Sequence, residues 1–150
     1  MRVVIKVGTA ALQDDLILGE FAKALRQLVS EGHQVILVHG SVINSASRTN
    51  GNGIQMPPPL APLPKTECST VAAGRFNQHL IACLGRVGVP AIGLFGGDGN
   101  VIAAKTAEAG AYSNGYILEV ASVDPFWLDV VCRSGGVPVI ANVALAADDS

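Results

Sequence analysis

Three short stretches carry residue types suited to holding an anion: Lys6-Val7-Gly8-Thr9, His39-Gly40-Ser41-Val42 and Phe95-Gly96-Gly97-Asp98-Gly99. Each follows a run of β-branched or large apolar residues, so each reads as the end of a strand. Glycine at a strand end lets backbone N–H groups approach an anion closely, and a helix starting there adds positive potential. Lys6 adds a mobile point charge. Together these are the parts of a phosphate-handling site. Two familiar versions of such a site are excluded. G-x-x-x-x-G-K-[ST] does not occur, and Gly97-Asp98-Gly99 leads to Ile102 where the third glycine of G-x-G-x-x-G belongs. Taken one at a time, the residues have plainer roles. A strand-end glycine makes a turn, Asp98 steadies one, His39 is a hydrogen-bonded structural histidine, and Lys6 on an edge strand would snorkel to water. Lys6 nevertheless lies inside an apolar run, where a buried lysine costs desolvation unless an anion meets it.

The elements that must position these residues alternate in type. Residues 2–7 read as a strand. Leu18, Phe21, Leu25, Leu28 and Val29 then recur at helical spacing, and Gly32 stands where a helix would stop. "QVILVHG" is a continuous apolar run, the mark of a parallel strand covered on both faces. "SVINSASRTN" opens a helix with Ser41 as its cap. The proline- and glycine-rich "GNGIQMPPPLAPLPK" is a long exposed excursion. Helical periodicity resumes over residues 66–87. "VPAIGLFGGDG" is a buried strand with a glycine-rich turn, and "NVIAAKT" and "GYILEVAS" form a surface hairpin. Asp124 caps a helix with Pro125 in its first turn and Gly135-Gly136 at its end, and "VPVIANVAL" is a last buried strand. The order predicts one α/β domain over residues 1–150, a three-layer α/β/α sandwich around a mostly parallel sheet. In such a sheet the three glycine-bearing ends emerge at one rim.

Bulk properties narrow the function. The chain has 150 residues, 49% of them apolar, with 17 glycines and a net charge of −2. It has no basic cluster, so neither a nucleic-acid surface nor an electrostatic membrane patch is expected. No apolar run is long enough to span a bilayer. Cys68, Cys83 and Cys132 are odd in number and lack metal-ligand spacing. They read as small core residues in a reducing cytoplasm, and no metal site is assigned.

Read in order, the motifs resemble the amino-terminal lobe of the amino-acid kinase family (the carbamate kinase-like fold), most closely its acetylglutamate kinase branch. "IKVGT" and "VHG" match the first two strand ends. "GRFNQHLIACLGRVGVPAIGLFGGDGNVIAAKT" and "GYILEVASVDPFWLDVVCRSGGVPVIANVAL" match the rest in order and spacing. "KVGTAAL" is also similar to glutamate 5-kinases. The resemblance implies ATP-dependent phosphorylation of the side-chain carboxylate of N-acetyl-L-glutamate, a step in arginine biosynthesis. By the same resemblance, Lys6 would stabilise the transferring phosphoryl group. Gly8, Thr9, Gly40, Ser41, Val42 and Asn142 would line the substrate and phosphoryl path. ATP with Mg2+ would bind only if a second, nucleotide-binding lobe is supplied, and not to this chain alone. A homodimer through the helix at 66–87 is expected, with Ala72, Ala73 and Gly74 permitting close helix approach.

The chain also departs from the family. The usual "HGGG" loop is His39-Gly40-Ser41-Val42, and a Cβ at Val42 crowds the path and restricts positive φ. The first-strand "KxGG" is Lys6-Val7-Gly8-Thr9. The arginine that clamps the substrate α-carboxylate is replaced by "MPPPLAPLPKTE", whose lysine cannot form a bidentate fork. Two readings therefore stay open: the substrate lobe of an acetylglutamate kinase, truncated at Ser150, or a non-catalytic regulatory or dimerisation module on that scaffold.

Overall fold

The computed structural model describes residues 1–40, 65–106 and 118–146. Strand β1 (Arg2–Val7) leads through Gly8 into a single helical turn, α1 (Thr9–Leu12), and then α2 (Asp15–Ser30). The Asp14 carboxylate caps α2 by accepting from the Leu16 and Ile17 amides, at 2.9 and 3.1 Å. Gly32, at φ +83°, ends it and turns the chain into β2 (Gln34–His39). Helix α3 (Lys65–Arg86) is followed by β3 (Ala91–Phe95) and by β4 (Ile102–Thr106). Then come β5 (Leu118–Val123), α4 (Phe126–Arg133), β6 (Val137–Ala141) and the two-residue β7 (Leu145–Ala146).

The main sheet has the order β1-β2-β6-β3 with all strands parallel, and β5-β4-β7 form a second, smaller sheet. Odd-numbered residues of β2 and β6 (Val35, Leu37, Val137, Val139) pack with Val7 against Leu18, Leu25, Leu80 and Leu84 of α2 and α3. Even-numbered Ile36 and Ile140 pack on the other face against Leu128 and Cys132 of α4. A buried parallel sheet with helices on both faces is the predicted three-layer sandwich. The expected hairpin is there as antiparallel β4 and β5, with a register shift at Ala103/Ala104.

Several expectations need correction. β1 has a partner on one side only among the described residues, and Arg2, Val4 and Lys6 are exposed. Lys6 therefore sits on an edge strand and carries no burial cost; its apolar neighbours misled because only alternate residues of an edge strand face the core. The α4 boundary shifts by one residue. Pro125 occupies the cap position, while Asp124 Oδ1 still accepts from the Phe126 amide at 3.0 Å. α1 and β7 were not anticipated, being too short to show periodicity. The expected helix at "SVINSASRTN" and the proline-rich excursion lie outside the described residues.

Candidate functional site

The parallel register decides which strand ends meet. Val7 lies opposite His39, His39 opposite Ala141, and Ala141 opposite Phe95. The next residue on each strand is thus Gly8, Gly40, Asn142 and Gly96, side by side along one rim. This is the carboxyl edge where open α/β sheets place ligands. Lys6 pairs with Val38 one layer below, on the face that carries α4. The first two strand ends are therefore side by side, with Lys6 two residues before Gly8 on β1.

Local packing separates uncrowded glycines from closely packed ones. Among the described residues, a Cβ on Gly8 would meet nothing within 4 Å, and one on Gly40 only Asn142 Nδ2 at 3.9 Å. The described residues leave the space above these two open. The third strand end is different. The Gly96 amide donates to Val143 O at 2.7 Å, and its carbonyl accepts from Ile102 N at 2.7 Å. A Cβ there would lie 2.9 Å from Val143 O. Asp98 Oδ2 accepts from Phe95 N at 2.8 Å. Gly99, at φ +58°, lies beneath Trp127, whose Cδ1 is 2.3 Å from where a Cβ would sit. The Gly96 amide is taken by Val143 O and Gly99 is needed under Trp127 of α4, so this turn lends no Gly96 amide to the rim. Asp98 is the turn residue its sequence context suggested.

Of the remaining predicted site residues, Thr9 opens α1 directly after Gly8. Asn142 is exposed, its amide donating to His39 O at 3.0 Å. Ser41 and Val42 lie outside the described residues. No group of three His, Cys, Asp or Glu placed to hold a metal ion occurs among the described residues. No helix among them is long and apolar enough to cross a membrane. A cavity of about 520 Å³ lies between α3 and β3, its lining including Gly74, Asn77, Gln78, Gly93, Phe95 and Asp98.

Two residues beneath the rim escaped the sequence reading as site elements. His39 and Asn77 are the buried polar side chains among the described residues, at 0% and 3% exposure. His39 Nδ1 lies 3.2 Å from Gly40 O, and Asn77 Nδ2 lies 3.1 Å from His39 Nε2 and 3.0 Å from Val139 O. Burial pushes the His39 pKa below its ordinary value, against a smaller opposing effect of the Gly40 carbonyl. Asn77 reaches the sheet because residue 93 is glycine: a Cβ there would fall 1.9 Å from Asn77 Oδ1 and 2.6 Å from Ile81 Cδ1. The pairing of a mid-helix asparagine with a mid-strand glycine was the available signal.

The comparisons with known proteins agree with this architecture. A model of the amino acid kinase family matches residues 1–149. The chain belongs to the amino acid kinase family. It is 36% identical over 154 residues to an acetylglutamate kinase from Acidobacterium capsulatum, and 34% identical to one from Koribacter versatilis. Each match covers 99% of this chain and 58% of the relative, so the chain spans less than two thirds of the length of these kinases. Among solved structures it superposes on the Streptococcus mutans protein smu.665, with a TM-score of 0.72 and 21% identity over 97% of this chain and 60% of that one. It also superposes on an isopentenyl phosphate kinase, with a TM-score of 0.61 and 15% identity over 99% and 61%. At those identities the two structures speak for the shared fold.

Proposed function

We propose that this chain is the substrate-binding lobe of an acetylglutamate kinase-type enzyme. In this reading the rim at Gly8, Gly40 and Asn142, with Lys6 below it, holds the side-chain carboxylate of N-acetyl-L-glutamate and the phosphoryl group it receives. The observation that supports this most is the space that the described residues leave open over Gly8 and Gly40, in a chain 36% identical to an acetylglutamate kinase. A carboxylate is already ionised at pH 7, so it needs no general base. The chain's contribution is alignment and neutralisation of charge, from the backbone at Gly8, Thr9 and Gly40 and from the Lys6 ammonium. ATP with Mg2+ supplies the phosphoryl group, which passes to a carboxylate oxygen as its bond to the ADP oxygen breaks and no proton changes hands. The described residues suit only the anionic end of that donor, since no carboxylate cluster among them is placed to hold Mg2+.

Isothermal titration with N-acetyl-L-glutamate tests the substrate assignment, with L-glutamate as the comparison. Heat from the acylated amino acid alone is expected; equal binding of both, or preference for L-glutamate, moves the assignment to a glutamate 5-kinase type. The loop sequence Ser41-Val42 favours a second reading, a non-catalytic regulatory or assembly module on the same scaffold. Turnover in a coupled ADP-release assay eliminates that reading.

The assembly we propose is a homodimer through α3. Its motivation shifts, because Ala72 and Ala73 are buried within their own chain and Gly74 lies 3.5 Å, measured from a built Cβ, from the Phe95 ring. The outward surface of α3 instead carries Val71, at 42% exposure.

A further inference from the structure

The hydrogen bonds around His39 run in one direction only. Gly40 O can only accept, so His39 Nδ1 must carry the proton. Val139 O can only accept, so the Asn77 carboxamide must turn its NH₂ toward it. The second N–H of that NH₂ then donates to His39 Nε2, which must be unprotonated. Two backbone carbonyls, one at each end, thus fix both the amide orientation and the imidazole tautomer, and desolvation supports the neutral ring. The path runs from α3, across β6, to the residue that begins the open part of the rim.

We propose that Asn77 is a positioning residue: it locks His39 in its Nδ1–H tautomer, and His39 in turn holds the Gly40 carbonyl toward the buried imidazole and away from the rim. The consequence is electrostatic. A carbonyl oxygen facing the rim would repel the anion assigned to it above; one held by His39 does not. This consequence rests on the proposed function, but the tautomer and the carbonyl orientation do not.

The test is nitrogen-15 NMR of the three imidazoles in the intact chain, read together with the Gly40 carbonyl carbon shift. In the wild type, His39 is expected to show a protonated Nδ1 and an unprotonated Nε2. In Asn77→Asp, a carboxylate replaces the NH₂, the ring proton moves from Nδ1 to Nε2, and Gly40 O loses its donor. In Gly93→Ala, the new methyl displaces the carboxamide, and the Gly40 carbonyl shift and the His39 tautomer move together. An Nε2–H tautomer in the wild type overturns the proposal without any variant having to fold. An unmoved Gly40 carbonyl shift in a folded Asn77→Asp variant overturns it as well. Titration with N-acetyl-L-glutamate separates the two claims. The wild type should bind, and Asn77→Asp should bind roughly five- to tenfold more weakly, about the effect of one net hydrogen bond. A wild type that shows the expected tautomer but binds no acyl-amino acid refutes the substrate reading and leaves the lock standing.

Discussion

Adding one methyl group at different glycines should have opposite consequences, and the packing around each predicts which. In Gly93→Ala, the new Cβ falls 1.9 Å from Asn77 Oδ1 and 2.6 Å from Ile81 Cδ1. Neither α3 nor the sheet can yield easily there, because Asn77 is tied to both His39 and Val139. Overpacking costs about 1–3 kcal/mol, and a displaced carboxamide strands a buried partner at about 1–3 kcal/mol more. A total near 3 kcal/mol is a large share of the roughly 5–15 kcal/mol that holds a domain together. With a urea slope of about 1.5 kcal/mol per molar, the unfolding midpoint should fall by about 2 M. In Gly8→Ala and Gly40→Ala, by contrast, the new methyl meets nothing closer than 3.9 Å among the described residues. Gly8 has φ −73°, which alanine adopts without strain. The small loss of cap preference is offset by reduced chain entropy in the unfolded state, so stability should stay within about 0.5 kcal/mol. The methyl does occupy the space assigned to the substrate, so binding of N-acetyl-L-glutamate should weaken by about tenfold or more. Urea titrations followed by circular dichroism, paired with calorimetry, read both effects. An unshifted Gly93→Ala midpoint would refute the wedge. Gly8→Ala and Gly40→Ala variants as destabilised as Gly93→Ala would mean that these glycines serve the scaffold, and the rim would lose its claim.

Other predictions concern groups described above. Because burial lowers the His39 pKa in the folded state, the unfolded chain takes up the proton first as pH falls. Stability is full above about pH 6.5 and declines below it, by at most about 1.4 kcal/mol per pH unit until the folded pKa is reached. The stability difference between wild type and His39→Gln, measured by urea melts from pH 7.5 to 5, should carry that slope; a flat difference contradicts it. Cys83 and Cys132 are buried, and burial raises both thiol pKa values, so peptide-level mass spectrometry should find them alkylated only after denaturant is added. For the proposed dimer through α3, Val71→Asp should convert a sedimenting dimer to a monomer, whereas a monomeric wild type at micromolar concentration removes the assembly.

What the sequence disclosed and what it hid follow from distance along the chain. The helix spanning Asp15–Ser30 and the strand at Gln34–His39 were legible because their periodicity and the Gly32 stop are local. The shared rim was legible once the strands were taken as parallel. Lys6 was misplaced because edge or centre is a property of the whole sheet, and six residues of apolar text do not encode which neighbour is missing. The Gly96–Gly99 turn looked like an anion loop because glycine required for packing under Trp127 reads the same as glycine required for a ligand. The His39–Asn77 link joins residues 38 apart in sequence; His39, read alone, suggested only a structural role, and a single helical asparagine does not reveal a partner so far along the chain.

The one-sided pairing of β1 bears on how Lys6 should be probed. Lys6 places a positive charge two residues from exposed Val4 on a strand whose outer hydrogen-bonding row has no partner among the described residues, while the Arg2 guanidinium is held by Gln34 and Asp129. Charge so placed discourages a stray strand from zipping onto the open row. Replacing Lys6 with methionine or leucine to test its proposed role in phosphoryl transfer would also remove a gatekeeper and leave a sticky apolar ribbon beside Val4. An inactive preparation of that kind could reflect self-association rather than lost chemistry. Lys6→Gln and Lys6→Arg, compared by light scattering before any rate is measured, keep the two effects apart.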